Sequence, residues 1–357
     1  MTTETQPSYQ NFASLAFSAL MDNWYEPGYG AWKNLGWWNT ANALEAVIDY
    51  SFLEPLDNID VIIADVYNNR KKDQQGNFIN YYYDDEGWWA LTWVKAYDRT
   101  QSPIFLQAAE LIFQDILTGW DEEVCTGGIW WSKAKEQKNA IENELFITLG
   151  AKLYLRTHND LYLTWAKNCW DWFVQTGMQG PNGLINDGVD LNTCRTNGYP
   201  TWTYNQGVIL GGLVDLYKST LDESYIVNAR EIASSAMRLL VNDKGILTEP
   251  CESSPQGCGK DGPQFKGIFM RYLSYLYNSE IQLSKAQNRE FTTEESNFLY
   301  TTNTFFSRQA LSIWNSDRDE QKNALGLHWS GPYLEADAST QSSALDALNA
   351  AVAATTI

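Results

Sequence analysis

The stretch YYYDDEGWW, residues 81 to 89, sets two adjacent carboxylates, Asp84 and Asp85, among three tyrosines and two tryptophans. Like charges repel and aromatic rings are costly to leave in water, so the combination calls for a use. Adjacent Cα atoms are about 3.8 Å apart. Two carboxyls projecting from an irregular helix start can therefore stand roughly 5 Å apart on one sugar. That is the separation of retaining glycosidases, in which one carboxylate attacks the anomeric carbon and the other protonates the leaving oxygen; inverting pairs stand about 6.5 to 9.5 Å apart to admit a water. N–H groups at a helix start favour charge on the nucleophile, and repulsion keeps its partner protonated. An aspartate in this position is also a common helix cap, so the pair needs support from its surroundings. A magnesium-diphosphate site is excluded: DDEGW lacks a third aspartate, and no basic cluster accompanies it.

Composition supplies that support. The chain carries a formal charge of −19 over 357 residues, which argues against nucleic acid and against anionic membrane as partners. Its 16 Trp, 20 Tyr and 14 Phe are more rings than a core of this size needs, and many stand beside Gly, Asn and Asp in loops. Flat rings among hydrogen-bonding groups suit sugars; an aromatic-rich core is the competing reading.

The elements that position the pair are repeated. Five segments, 39–50, 85–97, 139–154, 205–217 and 265–277, close on a tyrosine, and 341–353 matches more loosely. Each is apolar nearly all round and rich in Gly or Ala, as helices packed on both sides are. Between them run amphipathic stretches at 8–24, 58–70, 102–118, 159–176, 222–241 and 291–314, which read as outer helices. Six alternations of outer and inner helix predict an all-α (α/α)6 toroid of six helical hairpins. No linker divides the chain, so residues 1–357 read as one catalytic domain. The inner helices run parallel, and the ringed loops that lead into them meet at one end, the predicted cleft.

At this point the residues resemble a known family. YYYDDEGWWALTWVKAYDRT, GGIWWS, KNAIENELFITLGAKLY, LINDG, WTYNQGVILGGLVDLY and FKGIFMRYL, in this order between Gly36 and Tyr277, are similar to glycoside hydrolase family 76, the α-1,6-mannanases. The resemblance implies an (α/α)6 fold and retaining endo-hydrolysis of α-1,6-linked mannan. It also implies Asp84 as nucleophile, Asp85 as acid/base, and no metal or other cofactor. Some fungal relatives are GPI-anchored cell-wall transglycosylases. LNAAVAATTI is too short and too polar upstream for an anchor-attachment tail, which counts against that role.

From the same loops come the candidate sugar contacts. They are Trp38 and Asn39, Tyr83, Trp130 and Trp131 (a stacking platform, one of the two in the core), Asp187 in LINDG, and Tyr204, Asn205 and Gln206 in TYNQG. Asn143, with Glu144, lies a turn inside an inner helix, where a buried polar group needs a sugar or a neighbouring helix. Lys266 is a candidate to meet a hydroxyl or to neutralise the acid pair. His158 and His328 read as surface or structural.

Among five cysteines, Cys251 and Cys258 are expected to bond across a short Pro/Gly/Ser loop, Cys125 and Cys194 are candidates to pair, and Cys169 reads as a buried thiol. That pattern suits secretion, and the polar start MTTETQPSYQ reads as if an initiator Met had replaced a signal peptide. The expectation is a secreted monomer acting on mannan or a mannose-containing oligosaccharide. A cell-wall transglycosylase and a non-catalytic glycan-binding protein are the alternatives.

Overall fold

The computed structural model describes residues 8–355. The polar start and the last residues of the chain, on which the signal and anchor expectations rest, fall partly outside that range. Twelve α-helices carry the described residues: α1 (Tyr9–Trp24), α2 (Trp37–Leu53), α3 (Ile59–Arg70), α4 (Tyr83–Thr100), α5 (Pro103–Leu117), α6 (Ala140–Thr157), α7 (Asp160–Gln175), α8 (Thr203–Thr220), α9 (Glu223–Leu239), α10 (Phe265–Gln287), α11 (Thr293–Ser316) and α12 (Ala338–Thr355). Even-numbered helices form a closed inner ring in which each packs on the next and α12 returns to α2. Odd-numbered helices lie outside, giving the (α/α)6 toroid. Strand among the described residues is confined to three two-residue antiparallel ladders and isolated bridges. No described helix is long and apolar enough to cross a membrane.

The small residues of the inner helices are there for close approach. A Cβ on Gly207 of α8 would lie 2.7 Å from the Phe269 Cα of α10, and one on Gly267 of α10 would lie 2.5 Å from the Ser343 Cα of α12. Polar ties lock the ring where it closes: Arg271 on α10 donates to Asp346 on α12 at 2.7 and 3.0 Å, and to Glu45 on α2 at 2.8 Å.

The recurring tyrosines mark where inner helices stop. The carbonyls of Tyr97, Tyr154 and Tyr217 accept the N–H of Gln101, His158 and Leu221, each in the left-handed conformation that reverses the chain. His158 is thus an exposed C-cap. The exception is α10, which runs ten residues past Tyr277, because Glu280, Ile281 and Ser284 continue its buried face until Asn288 breaks it.

The expected Cys251–Cys258 disulfide is closed, and the candidate pair Cys125–Cys194 is closed as well. Cys251 bonds to Cys258 with Cα atoms 4.8 Å apart, Cys125 bonds to Cys194 at 5.2 Å, and Cys169 is a buried free thiol.

Candidate active site

The inner helices all begin at one end of the ring, and the loops there are laced to one another. Tyr82 and Ser132 form a bridge, as do Asn139 and Gly188, while Glu249 accepts from the Thr203 N–H at 3.2 Å. Into this end α4 projects Asp84 and Asp85 from its first turn, both partly accessible.

Trp131 Nε1 donates to Asp84 Oδ2 at 2.9 Å, while Asp84 Oδ1 is buried without a partner. Burial lifts this carboxyl to about 6, against the pull of the Trp131 hydrogen bond and the N–H groups of the helix start. Asp85 goes higher, to about 8: burial is the largest cause, the charge on Asp84 adds to it, and the charge on Asp261 adds further. Only Asn80 opposes, donating from Nδ2 to Asp85 Oδ2 at 3.0 Å. Near neutral pH one acid is ionised and its neighbour protonated, which is the division of labour a nucleophile and a general acid need.

Asn80 is a residue the sequence reading missed. It is 5 % exposed, its Oδ1 accepts the Tyr81 and Tyr82 N–H groups, and its own N–H donates to Glu86 at 3.0 Å. One side of the amide fixes the loop and the other aims Asp85. Asn80→Asp keeps the acceptor side and sets a carboxylate against Asp85. The expected outcome is a kcat lowered roughly tenfold with the alkaline limb of the pH profile moved upward; an unchanged profile would reduce Asn80 to a loop bracket.

More acids lie near the pair, two of them beneath the surface. Asp187 is partly accessible, is raised by burial, and accepts from Asn205 Nδ2 at 3.2 Å. Glu142 and Glu144 on α6 are fully buried, and burial pushes both well above the usual carboxylate range. Glu144 has no hydrogen-bond partner for either oxygen. Beside them is an aromatic wall: Trp38 stacks on Trp88 at 5.5 Å, and Tyr204 stacks on Phe265 at 3.9 Å. Trp38 Nε1 donates to Asp261 at 3.0 Å, so the loop stapled by Cys251–Cys258 reaches the cleft. Asp261, Trp88 and Phe265 were also missed. The sequence signal was their position directly ahead of, or just within, inner-helix starts.

Of the candidate sugar contacts, Trp38, Trp131, Asp187 and Tyr204 are partly accessible and gather around the acids. The others are buried and bond within the protein. Asn39 bonds Gln264 at 2.9 Å, and Gln206 brackets Ile185 through both its N–H and carbonyl. Asn143 holds the Ile129 backbone, Trp130 is in the core over Lys138, and Tyr83 packs against α5 with its hydroxyl on Thr118. Asn205 reaches the site only through Asp187, with its own Oδ1 buried and unpaired. Lys266 is fully buried beneath Trp329 and bonds Glu252 at 2.5 Å and the Leu327 carbonyl at 2.6 Å; it does not serve the acid pair. His328 contacts the same Glu252 at 3.1 Å. Among the described residues, no group of three or more His, Cys, Asp or Glu side chains is arranged to hold a metal ion.

The family model described as "Glycosyl hydrolase family 76" matches residues 8–356. The chain belongs to glycosyl hydrolase family 76. Among curated relatives, the mannan endo-1,6-alpha-mannosidase DCW1 of Saccharomyces cerevisiae is 29 % identical over 74 % of this chain and 64 % of its own length. Its Candida albicans counterpart is 26 % identical over 76 % of this chain and 66 % of its own length. This family 76 chain thus spans just under two thirds of the length of these two curated relatives. Among solved structures, an inactive variant of an α-1,6-mannanase from Salegentibacter sp. HEL1_6, with two consecutive aspartates replaced and α-1,6-mannotetrose bound, superposes with a TM-score of 0.84 at 21 % identity, covering 97 % of this chain and 99 % of that one. Dfg5 from Chaetomium thermophilum, in complex with glucosamine, gives 0.80 at 18 % identity over 98 % and 91 %.

Proposed function

We propose that this family 76 chain is a secreted retaining endo-α-1,6-mannanase whose catalytic pair is Asp84 and Asp85. The observation that carries the reading is the pair itself: two neighbouring acids at one helix start, lifted by burial to about 6 and about 8 in an aromatic cleft. Asp84 attacks the anomeric carbon while Asp85 passes its proton to the leaving glycosidic oxygen. Asp85, now ionised, then draws a proton from water, and the water displaces Asp84. Support comes from relatives that are mannan endo-1,6-alpha-mannosidases and from the solved α-1,6-mannanase made inactive at two consecutive aspartates. Two disulfides support an oxidising, extracellular setting. A purely glycan-binding role gives no reason to bury two acids side by side.

Sizing the products from unbranched α-1,6-mannan tests the reading. Internal cleavage to a ladder of shorter mannans is expected, and an intact polymer would overturn it. Transfer to added acceptor mannosides would identify the transglycosylase variant of the same chemistry.

The pH dependence follows from the two carboxyls. Activity needs Asp84 ionised, hence pH above about 6, and Asp85 protonated, hence pH below about 8. A bell-shaped kcat/KM with its maximum near neutrality is expected; a profile still rising at pH 9 would remove Asp85 as the acid.

A further inference from the structure

A groove of about 860 Å³ opens between the outer helices α9 and α11, away from the acid pair. Successive turns of both helices line it: Ser234 and Arg238 from α9, and Asn297, Tyr300, Thr304 and Arg308 from α11. Tyr300 is 77 % exposed, so its ring is offered to the groove instead of filling the core. A third arginine, Arg230, is spoken for at the back by Glu280 and Glu295 at 3.6 and 3.5 Å. Arg238 and Arg308 are exposed, and no ion pair or hydrogen bond engages either guanidinium among the described residues. Glu231 and Glu294 also line the groove without pairing with them. On a chain with a net charge of −19, two arginines without an acidic partner on facing helices stand out against an acidic surface, Arg308 resting against the Gly245 turn.

Free guanidinium forks match phosphate or carboxylate oxygens two at a time. Hydroxyls, an amide and an exposed ring beside them suit a sugar. We propose that the α9–α11 groove is a secondary glycan site for a phosphorylated sugar segment, with Arg238 and Arg308 clamping its phosphate and Tyr300 lying against a pyranose face. The proposal rests on the glycan-processing role above and extends it: the groove holds a charged branch of the polymer while the neutral backbone is cut in the cleft.

Calorimetry with three probes tests it: an α-mannobiose carrying a 6-phosphate, the same mannobiose without phosphate, and inorganic phosphate. The phosphorylated sugar is expected to bind at least about tenfold tighter than either of the others, the worth of one charge-assisted contact. Arg238→Ala/Arg308→Ala should erase that advantage, and Tyr300→Ala should weaken the phosphorylated sugar while leaving inorganic phosphate unchanged. Equal binding of the two sugars, free phosphate binding as tightly as the sugar phosphate, or an advantage that survives the double substitution would each overturn the proposal. Hydrolysis of unsubstituted α-1,6-mannan by the double variant should match the unaltered protein. That assay decides the catalytic reading, so the two can fail separately.

Discussion

Asp85→Asn should lower mannan hydrolysis by about 10²- to 10⁴-fold, the contribution of a positioned general acid, and Asp84→Asn should lower it at least as far. Neither change should unfold the protein, because both side chains are partly accessible at the cleft and each Asn is close to isosteric. The two losses differ in kind. A substrate with an aryl leaving group needs little protonation, so its glycosylation step should largely survive in Asp85→Asn. It should remain slow in Asp84→Asn, where the attacking oxygen is gone. Steady-state assays on mannan and on an aryl α-mannoside separate the roles. Near-normal turnover of mannan in either variant would remove that residue from the chemistry.

The largest expected effect on stability is at Arg271. Its side chain is 4 % exposed, and the guanidinium bonds Asp346, Glu45 and Asn42, joining α10 to α12 and to α2. Burial lifts Asp346 to about 7 even with this partner beside it. Arg271→Ala would leave Asp346 and Glu45 buried with less compensation, and a loss of about 3–5 kcal/mol in denaturant unfolding is expected. A loss under about 1 kcal/mol would mean that the ring closes on its apolar contacts alone. Replacing Arg271, Glu45 and Asp346 together by apolar residues of similar volume should recover most of the loss, since no charge is then stranded.

The toroid was legible because its signal is periodic and redundant. The six inner segments are apolar all round, and their closing tyrosines lie one hairpin apart, so a misread boundary at one repeat is corrected by the next. The acid pair was legible because adjacent aspartates among rings have few structural uses. What could not be read was which polar residue at a helix start faces the cleft and which faces a neighbouring loop. Asn39 and Trp38 are adjacent on α2, yet Asn39 turns inward to Gln264 while Trp38 turns to Asp261. Trp130 and Trp131 divide in the same way, the first into the core and the second onto Asp84. Asn80 and Asp261 reach the pair by through-space contact set by loop geometry. Their sequence neighbours, three tyrosines after Asn80 and a Lys-Asp-Gly turn around Asp261, mark only that a helix start lies ahead and not which carboxyl each side chain faces.

In the proposed mechanism Asp84 attacks directly and no water enters behind the anomeric carbon. Proton NMR during the first minutes of α-1,6-mannan digestion reads it before mutarotation mixes the anomers. The α-anomer of the new reducing end is expected to appear first, with the β-anomer growing in only as mutarotation proceeds. A β-anomer appearing first would contradict it and place the base elsewhere, with Asp187, raised by burial and held by Asn205, the carboxyl to examine next.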